Sequence, residues 1–416
     1  MTGESAAHVV VGCGLGMLGE FDKMLPAGSV TVVEESDLLD AGDLRAKAGA
    51  CACVAEVVDG PAQRADGAPP PALPVFARTV AVVPASEYAV VAAAAYAEAA
   101  GVPGAGVPAA RALRDKVRLR QAAEAAGLAQ PRWAQAADLA DLRAFAAAYQ
   151  GVCVLKPAEL QASSGVRRLG PADDLAAAWA ATLEADDAKL RSSQWRPGRY
   201  LVEERLLGPE VSAEVLVSAG EIIWINVTDK SVWPGTHPVE AGHLLPSALD
   251  PRIHAGVVAA NRALIEAVGF GTGALHSEWI LVDGERPHLV ECAGRLPGDA
   301  LVPLIDVAYG GSLLTDYLAV LRGERPERPE QAEHGAAIRF VAAPRGVLRA
   351  VHGLAEANAV EGVFGAYATV APGAPVGPPT SSRDRSGHVL AYGTDGPAAA
   401  AIADKAAALI SFELAD

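Results

Sequence analysis

The sequence predicts a fold of several units that mixes α/β and α+β layers, and three observations predict it. The chain opens on an apolar strand, a glycine-rich turn, a helically spaced segment and a second strand, His8 to Glu34, which is the order of a parallel α/β unit. Ala274 to Val282 and His288 to Cys292 are extended runs flanking the turn dipeptide Asp283-Gly284, the pattern of an antiparallel hairpin. The Pro- and Glu-rich stretch Arg322 to Glu333 breaks the chain before a last segment of strands and a terminal Ala-rich helix. At 416 residues the chain is long for one core and implies about two to four domains.

Composition narrows the class. Half of the residues are hydrophobic, so ample cores can be buried, and the formal net charge is −16. Such a charge argues against a nucleic-acid or anionic-membrane partner, either of which demands a basic face. A polyphosphate ligand would have to be held by a few local cations. Cys13, Cys51, Cys53, Cys153 and Cys292 are odd in number and sit in apolar surroundings, which suits reduced thiols. The first ten residues lack a basic leader, and no run approaches the roughly twenty apolar residues of a membrane span. A soluble, cytoplasmic protein is expected.

The N-terminal unit carries a strand His8 to Gly12, a strand Ser29 to Glu34, a Pro/Gly-rich loop Gly60 to Pro74, a strand Thr79 to Pro84 and a helix Ser86 to Ala100. Gly14, Gly16 and Gly19 satisfy a dinucleotide fingerprint, with Glu34 where a ribose-binding acid belongs. A scaffold whose glycines let the first helix approach the sheet explains them equally. A linker, Gly101 to Lys116, then feeds an amphipathic helix.

The strand Gly151 to Pro157 ends in Lys156, and Ala162, Ser163, Ser164 and Gly165 follow as a small-residue loop. Backbone N–H groups of such a loop can cradle phosphate oxygens while Lys156 supplies a point charge. It is not a Walker A loop. After a helix from about Ala172 to Ala185, the strand Tyr200 to Val202 runs into Glu203 and Glu204, and Glu210 precedes another strand. Trp233, Thr236, His237, Glu240 and His243 fall in a Pro/Gly-broken stretch typical of a pocket, and Glu240 suits an ammonium group.

The hairpin can bring Glu278 and Glu291 to one face. Two close carboxylates repel unless a cation lies between them, and hard oxygen ligands suit Mg²⁺ shared with phosphate. Arg295, in the flexible segment Gly294 to Gly298, can reach an anion beside that ion. A helix from about Val302 to Val320 closes this region. Plainer explanations also fit each position: a hairpin with solvated glutamates, a solvated lysine at 116, surface acids at 203, 204 and 210.

Together these motifs resemble the ATP-grasp ligases, and within them the bacterial L-amino-acid (dipeptide) ligases, over nearly the whole chain. The resemblance implies an ATP-grasp fold: an N-terminal Rossmann-like pre-ATP-grasp domain (1–110), a lid subdomain (111–200), a catalytic subdomain (201–328) and a small C-terminal α+β domain (329–416). Ser381 to Gly387 would be the last domain's characteristic turn. The family pattern assigns Lys116, Lys156 and the loop Ser163, Ser164 and Gly165 to ATP phosphates, Glu203 and Glu204 to the adenine-reading hinge, and Glu210 to ribose. Glu278 and Glu291 would be the metal ligands, for Mg²⁺ or else Mn²⁺. The amino-acid pocket would take Glu240, His243, Trp233, Arg295 and Gly298. One departure stands out, since Ala293 occupies a position where many members carry an asparagine ligand.

The activity implied is ATP-dependent joining of a carboxylate, most simply an amino acid, to an amine through an acylphosphate, giving an amide or dipeptide with ADP and phosphate. Natural-product or antibiotic biosynthesis would fit it. Arg295 would stabilise the reacting oxygens, and His276 or Glu240 would accept the amine's proton. Small molecules are the expected partners, with no nucleic acid and no membrane, and a homodimer is compatible. Two other classes stay open at this point: an ATP-grasp carboxylase or nucleotide-biosynthesis ligase, and an NAD(P)-dependent oxidoreductase built on the first domain.

Overall fold

The computed structural model describes residues 7–186, 190–193 and 198–415; the N-terminal residues 1–6, read above for a leader, lie outside them. The chain opens with β1 (Ala7–Val11), α1 (Leu15–Met24), β2 (Val30–Glu34), α2 (Ser36–Asp40), α3 (Leu44–Gly49), β3 (Val54–Asp59), β4 (Thr79–Pro84) and α4 (Val90–Ala100). Its four strands form a parallel sheet in the order β3-β2-β1-β4. Every residue of β1 and β2 is buried, which is why they read as unbroken apolar runs rather than alternating ones.

The acid that a dinucleotide site would turn to a ribose is turned inward here. Glu34 is 4 % exposed, and its carboxylate accepts the N–H groups of Cys13 (2.8 Å) and Glu35 (2.9 Å), so it is turned onto the glycine turn rather than out to a ribose. A Cβ on Gly14 would sit 3.2 Å from the Ala85 carbonyl oxygen, which explains that glycine by close packing.

Next come α5 (Val107–Arg114) and α6 (Lys116–Ala125), so the expected linker is itself largely helical. Asp115 separates the two helices and caps α6, accepting the N–H groups of Val117 (3.0 Å) and Arg118 (3.4 Å). A second, antiparallel sheet follows, with β5 (Trp133–Ala136), α7 (Leu139–Ala148), β6 (Cys153–Pro157), β7 (Arg167–Leu169), α8 (Leu175–Leu183) and β8 (Tyr200–Glu204) in the strand order β5-β8-β6-β7.

The largest sheet has eight strands. It uses β9 (Glu210–Ser218), β10 (Glu221–Val232), β11 (Glu240–Leu245), then, after α9 (Pro251–Val268), the hairpin β12 (Gly273–Val282) and β13 (Arg286–Ala293). Two helices, α10 (Leu301–Tyr309) and α11 (Leu313–Leu321), replace the single helix expected over Val302 to Val320 and cross at 100°. Gly310 and Gly311, with φ of +71° and +72°, make the break. The chain then adds β14 (Gly335–Val341), β15 (Gly346–His352), α12 (Leu354–Asn358), β16 (Val363–Ala368), β17 (Pro375–Val376), β18 (Gly387–Gly393), α13 (Gly396–Ala407) and β19 (Ser411–Leu414). The large sheet runs β13-β12-β9-β10-β11-β14-β18-β16, so three strands of the C-terminal segment extend it, while β17, β15 and β19 form a small sheet.

One face of the large sheet is apolar. Val211, Ala213 and Val215 of β9, Val227 of β10 and Leu275, Trp279 and Leu281 of β12 pack with Val257, Leu264 and Ile265 of α9 and with Leu113 and Leu119 of α5 and α6. Among the described residues no single helix is long and apolar enough to cross a membrane, and the buried residues of the bent α10–α11 pair belong to the core. Trp279 is 1 % exposed and its indole donates to the Ser277 hydroxyl (2.8 Å), which donates in turn to Asn261 of α9 (2.6 Å). Trp279→Ala should therefore cost about 3–5 kcal/mol of unfolding free energy, measured by urea denaturation.

Candidate active site

The opposite face of the same strands is polar, and this is dictated by period-2 alternation. Glu210, Ser212 and Glu214 alternate with the valines and alanine of β9, Asn226, Thr228 and Lys230 recur along β10, and His276 and Glu278 share the face on β12. Register brings them side by side: Lys230 lies opposite Glu210, Asn226 and His276 opposite Glu214, and Glu278 opposite both Ser212 and Glu291. The last pairing depends on a bulge. Beyond the turn Trp279 pairs with Leu289, a register that would set Val290 against Glu278, but the shift between Glu278 and Trp279 brings Glu291 there.

Electrostatics follow from this crowding. Lys230 is buried to 2 % side-chain exposure, 2.8 Å from Glu278 and 3.5 Å from Glu240. Burial alone would push its pKa down, yet Glu278, Glu240 and Glu210 outweigh burial and hold it above the ordinary lysine value. Burial likewise opposes ionisation of Glu278, but Lys230 and His276 keep its carboxylate well below the usual range. Glu210 goes the other way: burial pushes it up despite Lys230 and Arg168, the latter at 2.7 Å.

Beneath the site Glu214, 1 % exposed, accepts from Ser212 (2.7 Å), Asn226 (2.7 Å) and Thr228 (2.7 Å) and holds His276 Nδ1 at 3.1 Å. His276 Nε2 lies 3.4 Å from Glu278. Burial disfavours the imidazolium, but hydrogen bonds to the two glutamates raise its pKa to about 9. The two carboxylates thus favour its protonated form.

Lys156 reaches Glu203 at 2.6 Å, and Arg120, fully buried on α6, holds the other oxygen of Glu203 at 2.7 Å and donates to the Val290 carbonyl (2.7 Å). Glu203 stays ionised with two cations despite burial, whereas burial dominates for Lys156, which shares that carboxylate, and lowers its pKa. Lys116, at the start of α6, donates to the Leu160 carbonyl (2.8 Å) and lies 3.1 Å from Glu291.

Two cavities open on this face. One, of about 90 Å³, is lined by Lys156, Glu203, Glu204 and Glu210 with apolar Val154, Leu206, Ile280 and Val290. The other, of about 170 Å³, is lined by Glu87, Arg114, His243, His276, Arg295, Gly298, Asp299 and Ser382. They share a wall of Lys116, Leu160, Gln161, Ser163, Glu240, Glu278 and Glu291. Most residues that the family pattern assigns to ATP, metal and amino acids thus meet in one cleft, and three of them do not. Trp233 faces a separate cavity with Arg167 and His237. Ser164 is buried in the turn whose N–H donates to Gln161, and Gly165 is backed against Pro157, where a Cβ would meet Cγ at 2.9 Å. Neither lines either cavity.

Lys230, Glu214 and Glu87 were not read from the sequence. Alternation of polar residues along β9 and β10 was the available signal for the first two; Glu87, which receives Arg295 Nε at 2.8 Å, comes from the N-terminal unit with no motif to mark it. As a metal site the pair Glu278–Glu291 has the right chemistry, two hard oxygen donors at a cleft wall. Among the described residues no cluster of three or more such ligands forms, and Ala293, opposite His276, offers no side-chain oxygen. An ion there would have to share phosphate oxygens and water.

Residues 150–303 match the ATP-grasp domain family, and residues 339–415 match the L-amino acid ligase C-terminal domain 2. The chain thus contains an ATP-grasp domain, and enzymes with that domain use ATP and divalent metals. Within them it is similar to amino-acid ligases. It is 29 % identical over 238 residues to the alanine–anticapsin ligase of Bacillus subtilis, covering 53 % of this chain and 50 % of that protein. An uncharacterized protein of Sinorhizobium fredii is 28 % identical over 305 residues, 72 % of this chain and 61 % of its own. The chain therefore spans about half to three fifths of these relatives' length. Its fold matches the crystal structure of L-amino acid ligase from Bacillus licheniformis with a TM-score of 0.76 at 17 % identity, covering all of both chains.

Replacing Lys230 by methionine would leave Glu210, Glu240 and Glu278 facing one another without their common cation. Lys230→Met should lower stability at neutral pH by about 3–5 kcal/mol, read by chemical denaturation.

Proposed function

We propose that the chain joins the carboxylate of an amino acid to an amine, forming an acylphosphate with ATP and releasing ADP and phosphate. The observation that carries this reading is the wall of Lys116, Glu278 and Glu291 common to both cavities. A triphosphate in the smaller chamber and a carboxylate in the larger one would meet there, which is the positioning that phosphoryl transfer requires.

In this reading the adenine lies among Val154, Leu206, Ile280 and Val290, with Glu203 and Glu204 at its edge and Glu210 at the ribose. Lys156 and Lys116 bind phosphate, and Ser163 brings the loop over it. Glu278 and Glu291 are the residues that would hold a divalent cation, Mg²⁺ in preference to Mn²⁺; when bound, that ion neutralises phosphate oxygens. Arg295 orients the carboxylate and then the tetrahedral oxyanion, and Glu240 with His243 receives the amine. The ammonium group passes a proton to Glu240, the freed amine attacks the acyl carbon, the C–O bond to phosphate breaks, and inorganic phosphate leaves. A reducing cytoplasm is the proposed setting, which the five free cysteines fit.

The test is ADP and phosphate release from ATP and Mg²⁺ with the twenty common L-amino acids, singly and in pairs, with mass detection of products. A pair-dependent condensed mass supports the ligase, and EDTA should abolish it. Glu291→Gln should reduce turnover about 10²–10³-fold. ATP that fails to bind the wild type at millimolar concentration would overturn the reading.

A further inference from the structure

The turn Thr380–Ser386 is a rigid block whose purpose the nucleotide chemistry leaves unexplained. Asp384 accepts the N–H groups of Thr380 (2.9 Å) and Ser381 (2.9 Å) and both hydroxyls (2.7 and 3.2 Å), closing the turn on itself. Ser386, fully buried, anchors its end to Val341 at the end of β14 and to Ala343 just beyond it. Three groups point away from this block. The Ser382 hydroxyl donates to Glu240 (2.8 Å), the Ser382 N–H donates to the Ala162 carbonyl at the tip of the small-residue loop (3.0 Å), and Arg385 forms a two-pronged pair with Asp299, one prong at 2.9 Å.

The loop tip needs such a clamp. Ala162 and Ser163 are non-glycine residues at φ of +56° and +57°, a left-handed conformation that costs each roughly 1 kcal/mol or more unless it is held. The holding contacts are the Ser163 hydroxyl on the Pro238 carbonyl (3.1 Å) and the Ser382 N–H on Ala162. Arg385, stacked 3.6 Å over Phe340, occupies both Asp299 oxygens together with His243, so Asp299 is committed to the wall, while Glu240, held by Ser382 and 3.5 Å from Lys230, lines the chamber beside it.

We propose that the C-terminal segment completes the substrate chamber and that Ser382 is a positioning residue, fixing the amine-binding carboxylate Glu240 and the phosphate loop in one closed arrangement. This rests on the amine-binding reading of Glu240. One residue, through its hydroxyl and its backbone N–H, thereby ties acceptor binding to exclusion of water from the acylphosphate, whose hydrolysis would waste ATP.

Two variants separate the two contacts. Ser382→Ala removes only the hydroxyl. Ser382→Pro also removes the N–H, and it fits the site because Ser382 begins a short helical turn and Ser381 before it is extended (φ −147°, ψ 167°). With a productive pair of L-amino acids, Ser382→Ala should raise KM for the amine-side amino acid about 3–10-fold while KM for ATP holds, and Ser382→Thr should restore it. Ser382→Pro should in addition release phosphate in excess of condensed product, and the backbone amides of residues 161–166 should exchange with deuterium faster than in wild type. The exchange measurement needs no substrate, so it judges the clamp even if no amino-acid pair reacts, an outcome that would strike the functional reading alone. Wild-type exchange in Ser382→Pro together with unchanged amine KM in Ser382→Ala would overturn the proposal, as would equal rises in both KM values.

Discussion

Like charges crowded on one buried sheet face are the constraint on which this molecule turns. Glu210, Glu240 and Glu278 converge on Lys230, and Glu214 lies beneath with His276 against it. No such arrangement survives in a low-dielectric interior unless each carboxylate has a cation or several donors. Lys230, His276 and the hydroxyl and amide donors around Glu214 meet that demand and fix the geometry of the whole face. The packed helices α9, α6 and α5 on the apolar side keep the sheet stiff enough to hold it.

The same constraint explains why the two chambers meet where they do. The carboxylates at the junction lie against cations, Lys230 on Glu278 and Lys116 on Glu291, that belong to strands and helices already packed in place. The second ring of pairs, Arg120 and Lys156 on Glu203 and Arg385 and His243 on Asp299, ties α6, the smaller antiparallel sheet and the C-terminal segment to that junction. A strongly acidic chain thus places its buried cations where its carboxylates converge.

Much of this was legible in the sequence, for physical reasons that can be named. Hydrophobic runs marked β1, β2 and β4, Asp283-Gly284 marked the hairpin turn, and Lys156 at a strand end before small residues marked the loop. The bulge that aligns Glu291 with Glu278 was not legible, because turn register alone sets Val290 there. Nor was the break at Gly310-Gly311, where apolar periodicity on both sides reads through as one helix. Helix α9 went unassigned although Val257, Leu264, Ile265 and Val268 mark its buried face. Trp233 was assigned to the pocket from composition, and composition does not say which side of a loop a ring faces.

In the proposed reaction a carboxylate in one chamber attacks phosphate delivered from the other. The most direct measurement uses a substrate amino acid labelled with ¹⁸O in both carboxylate oxygens, followed by mass analysis of the phosphate after turnover with ATP. An acylphosphate route transfers one labelled oxygen to each inorganic phosphate formed. Unlabelled phosphate, or label found in AMP instead, would contradict it.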